Sequence, residues 1–195
     1  MVEKMIPPEV EKTKDTLTIV FGRFNPPTIG HGKLLDAAKR ESIDNDYLIF
    51  PSRTQNKKNN PLAPEIKISF MKKMFPNHES KIINNEEIKT IFDALVQSHV
   101  DGYTNIKIVV GSDRVDEFKK ITENYNGKLY DFDNLEVCSA GERDPDGEGL
   151  EGMSASKQRQ AAIENKFDDF MKGVTNNMDQ ESVLELFNTV RLNLS

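Results

Sequence analysis

VFGRFNPPTIGHGKLL, Val20 to Leu35, carries an apolar strand into Gly22, then Arg-Phe-Asn-Pro-Pro, then Thr-Ile-Gly-His at the mouth of a helix. A plain strand-to-helix connection needs a turn residue and a cap. It does not need two prolines, a basic residue and a histidine within nine positions. Gly22 lets the chain turn tightly at the strand end and lets a ligand approach the backbone. Pro26 and Pro27 stiffen the loop and withhold two amide donors, so the amides from Thr28 onward are expected to face the same region. Gly30 and His31 fall where a helix begins, and a helix start draws anions through its N–H groups and the positive end of its dipole. That dipole works against protonation of His31, whereas a bound polyphosphate would favour it. Taken singly, His31 reads equally well as an ordinary first-turn residue and Arg23 as a solvated charge; the whole string together points to phosphate.

The chain around this stretch alternates strands with helices. Strands are expected at 16–22, 46–52, 80–85, 105–112 and 128–139. Helices are expected over 30–41, over 65–75 with Ile66, Phe70 and Phe75 on one side, and over 86–100 with Ile88, Ile91, Phe92 and Leu95 inward. Further helices are expected over 113–125, 154–165 and 179–192. The pattern predicts an α/β, Rossmann-like parallel sheet of five strands with helices on both faces. Residues 1–15 read as a tail or short edge segment, 16–174 as the domain, and 175–195 as a carboxy-terminal helix packed on it. Ligands of such sheets bind beyond the carboxyl ends of strands, where the winding reverses. The unusual chemistry of this sequence sits in those loops.

Composition narrows the class. The 195 residues suit a single core, and 36% hydrophobic with 30% charged residues is ordinary for a water-soluble protein. A net charge of −6 argues against a general nucleic-acid or anionic-membrane coat. The single cysteine, Cys138, excludes an intrachain disulfide and suits a reducing compartment; it reads as a buried strand residue. The first residues lack an apolar signal core and no window reaches a membrane span, so a cytoplasmic location is expected (the host's cytoplasm if the chain is viral). Val183, Leu184, Leu186 and Phe187 make a broad stripe in the last helix, which leaves an oligomer open.

Two strings are decoys. Gly147, Gly149 and Gly152 spell GxGxxG, but an acidic run precedes them and Glu148 and Glu151 stand inside, where a pyrophosphate would be repelled. Asp144 opens a calcium-loop-like string whose twelfth position is Ala155 rather than a bidentate glutamate. A mobile acidic lid is the preferred reading of 141–152. No ligand set for zinc is visible, and no metal ligand among the side chains is assigned.

The string GRFNPPTIGH resembles the first motif of the nucleotidylyltransferase superfamily, G-x-F-x-P followed by HxGH. Its Gly-Arg-Phe opening is similar to nicotinamide mononucleotide adenylyltransferases of the archaeal type. SASKQR, Ser154 to Arg159, resembles the family's SxTxxR signature, and VGSDR, from Val110, resembles its nucleoside-contacting segment. The wider string is also similar to small nucleotidyltransferases of large tailed phages. The first histidine of HxGH is Thr28 here, and the threonine of SxTxxR is Ser156, which keeps a hydroxyl.

The resemblance implies transfer of a nucleotidyl group, AMP favoured over CMP, from a nucleoside triphosphate to a phosphorylated small molecule, with release of pyrophosphate and with Mg2+ accompanying the triphosphate. It implies His31, Thr28 and Arg159 as catalytic residues. It implies Gly22, Arg23, Phe24, Asn25, Gly30, Gly111, Asp113, Ser154 and Ser156 around the nucleotide. Arg53, Lys57 and Lys58, in the loop after the second strand, form a local positive field suited to the acceptor's phosphate. Nicotinamide is typically held by stacking, often on tryptophan. This chain has none, so Phe24, Phe50, Phe92 or Tyr130 would substitute, and phosphopantetheine-type or polyol-phosphate acceptors stay open. A nucleotide-binding module without turnover is the alternative from another class. An aminoacyl-tRNA synthetase echo in TIGH and MSASK is disfavoured by the lack of room for an anticodon domain and by net acidity.

Overall fold

A computed structural model describes residues 5–141 and 154–194. At its centre lie four parallel strands, β1 (Lys14–Gly22), β2 (Asp46–Pro51), β3 (Tyr103–Val110) and β4 (Asn134–Ser139), in the order β2-β1-β3-β4. Alternation along the strands makes two cores, because successive side chains leave opposite faces. Leu17 and Ile19 of β1, Phe50 of β2 and Ile106 and Ile108 of β3 face one core, covered by α3 (Ile91–Val100) and α4 (Val115–Glu123). Val20, Tyr47, Ile49 and Val109 face the other. That side is covered by α1 (Ile29–Ser42), α2 (Pro64–Met74), α5 (Ala155–Ile163), α6 (Phe167–Met171) and α7 (Gln180–Leu194). Val183, Leu186, Phe187 and Val190 bury α7 in this same core, while Leu184 stays exposed.

The parallel, helix-covered sheet is as the sequence predicts, but the strand expected at 80–85 does not form. Its first residues belong to a 3-10 segment, Pro76–Lys81. What remains of a strand is one bridge between Ile49 and Ile82, with the Ile83 amide donating to the Ile49 carbonyl at 2.9 Å. Two apolar residues followed by two asparagines are too few to extend a ladder, and Asn85 already turns the chain by accepting from the Glu87 amide. The fifth expected strand is β4, shortened to its last six residues because Asn126 bonds both the amide and the carbonyl of Phe132 and holds the preceding segment as a turn.

Two helices also differ. The helix expected from residue 86 starts at Ile91, because Thr90 and Asp93 form a capping box, with Asp93 accepting from the Thr90 amide at 2.8 Å. On α2 the inward face holds Lys67, Ile68, Phe70, Met71 and Met74, whereas Ile66 is exposed. A lysine thus occupies a position expected for an apolar residue.

The order β2-β1-β3 places the winding reversal between β1 and β3. The carboxyl ends of those two strands, Gly22 and Val110, therefore open on one crevice.

Candidate active site

A cleft of about 210 Å³ opens at this reversal. Phe21 and Gly22 from β1, and Val110 and Gly111 from the end of β3, form its floor. Arg23, His31, Arg114 and Arg159 line it, together with Ala155 and Ser156 at the start of α5. Segments more than 120 residues apart in sequence thereby meet in one place. No aspartate or glutamate lines the cleft among the described residues, in a chain whose net charge is −6.

The position of His31 follows from helix capping. Thr28 is the N-cap of α1 and His31 its third residue, the place where a glutamate usually folds back to the cap amide. Here the imidazole does so. Its Nδ1 accepts the Thr28 amide at 2.9 Å, and the Thr28 hydroxyl lies 3.1 Å from the same nitrogen. An Nδ1 that accepts a hydrogen bond carries no hydrogen itself, which leaves the ring's N–H on Nε2. The spacing of T-x-x-H is thus a capping geometry that fixes both the orientation and the tautomer of the ring. The Phe24 ring supports it, with centroids 4.9 Å apart.

Two expectations about this turn need correction. The amides after the prolines do not all face a ligand: that of Thr28 goes to His31, and that of Ile29 donates to the Gly173 carbonyl at 2.9 Å. Nor is the Asn25 side chain available to a ligand, although Asn25 borders the cleft. It is buried and bonds both backbone groups of Leu62, its Oδ1 accepting at 2.8 Å and its Nδ2 donating at 3.2 Å. Thr28 is likewise almost wholly buried, and Gly30 is the second residue of α1, behind the cleft lining. The Thr28 hydroxyl is turned to the His31 ring rather than to the cleft. Thr28→Ala leaves the backbone donor in place, so it is expected to cost about 1 kcal/mol of stability through the cap. Turnover is expected to fall by less than the roughly 10²-fold that marks the low end for a group acting directly in the transition state; thermal melts and activity assays check both.

Ser154 caps α5, its hydroxyl accepting the Lys157 amide at 3.2 Å. One turn further on, Arg159 donates to the Asn25 carbonyl at 2.9 Å and to the Ser156 hydroxyl at 3.1 Å. A guanidinium has five N–H donors in a planar fork, so three remain beyond these two bonds. Partial burial, and then the neighbouring Arg23, lower the pKa of Arg159. Two guanidiniums held this close repel one another, and a polyanion between them relieves the repulsion.

Of the two glycines at the strand ends, Gly22 is needed for space because it meets the buried Phe24 ring, whereas Gly111 meets an exposed carboxylate that can swing aside. A Cβ on Gly22 would stand 3.0 Å from the Phe24 ring, and one on Gly111 would stand 2.8 Å from the Asp113 carboxylate. Asp113 itself is exposed and borders a wider groove of about 860 Å³ that continues from the cleft. This groove shares Phe21, Gly22, Arg23, Arg114 and Phe118 with the cleft and adds Thr90, Phe92 and Lys89. Of the four aromatic residues expected near an acceptor ring, Phe92 lines it; Phe24, Phe50 and Tyr130 are buried. Arg114 stands at the junction, its guanidinium 4.8 Å from the centre of the Phe118 ring. It follows directly on Asp113 in the VGSDR string, where no spacing sets it apart from the other charged residues.

The three basic residues after β2 are not brought into the cleft. Arg53 pairs with Glu65 and donates to the Asn84 side chain at 2.8 Å. Lys57 and Lys58 are exposed in a turn built on the Asn56 side chain. The GxGxxG and calcium-like strings fall outside the described residues. Among the described residues no three His, Cys, Asp or Glu side chains converge as a metal site, and no helix is long and apolar enough to cross a membrane. Cys138 lies half-buried in β4, and burial foremost pushes its thiol up to about 11.

A parallel sheet with a histidine-bearing helix start and an arginine-bearing helix converging at its winding reversal defines the class. The chain belongs to the cytidylyltransferase-like family, whose model matches residues 19–161. It is 25% identical over 108 residues to a protein described as a probable nicotinate-nucleotide adenylyltransferase from Sulfurimonas denitrificans; the match takes in 52% of this chain and 58% of that one. The fold is similar to that of the Plasmodium falciparum nicotinic acid mononucleotide adenylyltransferase, solved as complexes with NaAD and with APC. The TM-scores are 0.55 and 0.53, at 18% and 17% identity, each over 92% of this chain and 97% of the other.

Proposed function

We propose that this chain is a nucleotidyltransferase that moves a nucleoside monophosphate, AMP in the favoured case, from a triphosphate to a phosphorylated small molecule. An oxygen of the acceptor's phosphate attacks the α-phosphorus, the bond from that phosphorus to the bridging oxygen of the β-phosphate breaks, and pyrophosphate leaves with the electron pair. The observation that carries this reading is the cleft: three arginines and one imidazole, with no carboxylate among its described lining, at the winding reversal of an otherwise acidic chain.

Phosphoryl chemistry asks little of a protein beyond alignment and neutralisation of spreading charge. His31, held by its Nδ1, presents an Nε2 proton to a phosphate oxygen. Arg159 offers its remaining donors to the β- and γ-phosphates in a forked manner that a lysine cannot reproduce. Gly22, Arg23, Gly111, Ser154 and Ser156 would supply close backbone, charge and the capped start of α5 around the same anion, and Asp113, on the bordering groove, would lie near ribose or base. The described lining offers magnesium no carboxylate, its donors being cationic or N–H groups, so the ion would arrive with the incoming triphosphate rather than be held by these side chains. Bound that way, it would draw charge from the phosphates.

The acceptor is proposed to occupy the wider groove, its phosphate toward Arg23 and Arg114 and its ring against Phe92. Nicotinate mononucleotide is the favoured candidate, supported by the similarity to enzymes described as acting on that compound. Lys57 and Lys58 would remain as an outer positive charge on the loop after β2, Arg53 being paired with Glu65.

Pyrophosphate release across four nucleoside triphosphates and a panel of phosphorylated acceptors tests the proposal. Release is expected with ATP and nicotinate or nicotinamide mononucleotide. Silence with every pair, alongside measurable triphosphate binding, would replace the enzyme by a binding module.

A further inference from the structure

Lys67 is wholly buried on the inner face of α2, directly beneath the turn that opens the cleft. Its ammonium donates to the carbonyl of Arg23 at 2.8 Å and to that of Ser52 at 2.5 Å. These carbonyls belong to the chain just past the ends of β1 and β2, which are also joined by the Ser52 amide donating to the Gly22 carbonyl at 2.7 Å. A buried charge is costly unless it is well bonded, so an apolar side chain would serve packing better. What the ammonium supplies is a fixed position for the Arg23 carbonyl.

That position matters because the next residue, Phe24, has a φ of 47°. A bulky side chain in the left-handed region is unfavourable and persists only where neighbours determine it. Here the neighbours act in sequence. Lys67 holds the carbonyl before Phe24, Leu62 holds the Asn25 side chain after it, and Arg159 holds the Asn25 carbonyl. The Phe24 ring in turn lies against His31.

We infer that Lys67 is a positioning residue for the transfer reaction: by tying the Arg23 and Ser52 carbonyls together from below, it sets the turn that aligns Arg159 and His31 on the triphosphate. The inference rests on the nucleotidyltransferase reading.

Burial foremost, and then the charge of Arg53, bring the Lys67 ammonium down to about 8. The charged groups around it are Arg53 past the end of β2, Glu65 on α2, which is paired with Arg53, and Arg23, whose carbonyl it holds. In the unfolded chain the amine has an ordinary pKa of 10.5. Between those two values the unfolded state carries a proton that the folded state has lost. Stability from this group therefore rises as pH climbs from about 8. The grip on the carbonyls weakens over the same interval, as a charged donor becomes a neutral one. Function and stability are thus expected to move in opposite directions, which a merely structural lysine would not produce.

The test is Lys67→Met, with pyrophosphate release from ATP and nicotinate mononucleotide followed from pH 6.5 to 9.5 and thermal melts at each pH. The variant is expected to lower kcat at pH 7 by roughly tenfold or more, since small misplacements of reacting groups are costly. KM for ATP is expected to stay within about threefold, and the alkaline fall of wild-type kcat is expected to be absent. A folded variant with kcat within about twofold of wild type, or with the same alkaline fall, overturns the inference while the functional reading stands. If the variant does not fold, the wild type decides. A kcat that falls through pH about 8 while the melting temperature holds or rises supports the role, and a flat kcat overturns it. A wild type silent with every acceptor overturns both readings.

Discussion

His31→Ala is expected to reduce kcat for pyrophosphate release by roughly 10²–10³, the loss typical of one donor aimed at charge that develops in the transition state. The effect is expected in kcat far more than in KM, because a single imidazole N–H adds little to ground-state binding of a polyanion already met by three guanidiniums. The ring is a side-chain partner of the α1 cap, so some stability is also lost, on the order of 1 kcal/mol. Melting curves separate the two effects. His31→Gln is the sharper variant. Its amide can still accept from the Thr28 backbone while presenting a displaced donor, so stability is expected to recover while kcat stays low. A single-turnover assay with ATP and nicotinate mononucleotide reads the difference.

Arg159→Ala is expected to show the opposite split. Hydrogen bonds to charged groups are worth about 1.5–3 kcal/mol, so loss of the fork should raise KM for the triphosphate by roughly 10–150-fold. It also removes the bond to the Asn25 carbonyl, one of the supports of the Phe24 turn, so kcat falls as well. Arg159→Lys is expected to recover the charge but not the two-point geometry, leaving KM raised by at least severalfold. Arg23 should bear less of this load. It is exposed at the rim, and its removal relieves the repulsion that lowers the Arg159 pKa. Isothermal titration with a non-hydrolysable ATP analogue measures each affinity without turnover.

The placement of several candidate-site residues was legible because it obeys local rules. The glycine at the end of β1, the prolines and the T-x-x-H cap are set by turn and helix-start chemistry, so Gly22 and His31 could be placed before any coordinates. Ser154 and Arg159 were readable for the same reason, one as a cap and the other a turn later on the same helix. What the sequence hides is what three-dimensional packing decides. Asn25 looks like a ligand-facing turn residue, yet the nearby Leu62 backbone consumes its amide. Lys67 looks like a surface lysine, although its spacing to Phe70, Met71 and Met74 puts it on the apolar face of α2; that spacing was the available signal. Residues 80–85 show how a short apolar pair invites a strand that neighbouring asparagines and a proline-led 3-10 segment forestall. The basic loop after β2 has the charge expected for phosphate, but Arg53 is occupied by Glu65. Charge in a loop tells nothing of its partner.

The proposed transfer needs the start of α1 and the body of α5 to grip the same molecule. A crystal structure with a non-hydrolysable ATP analogue tests that most directly. The phosphates should lie in the cleft, with His31 Nε2 and the Arg159 guanidinium each within about 3.2 Å of oxygens on one triphosphate. A nucleotide seated elsewhere on the sheet edge, or phosphates touched by one of these side chains while the other keeps its distance, would contradict it.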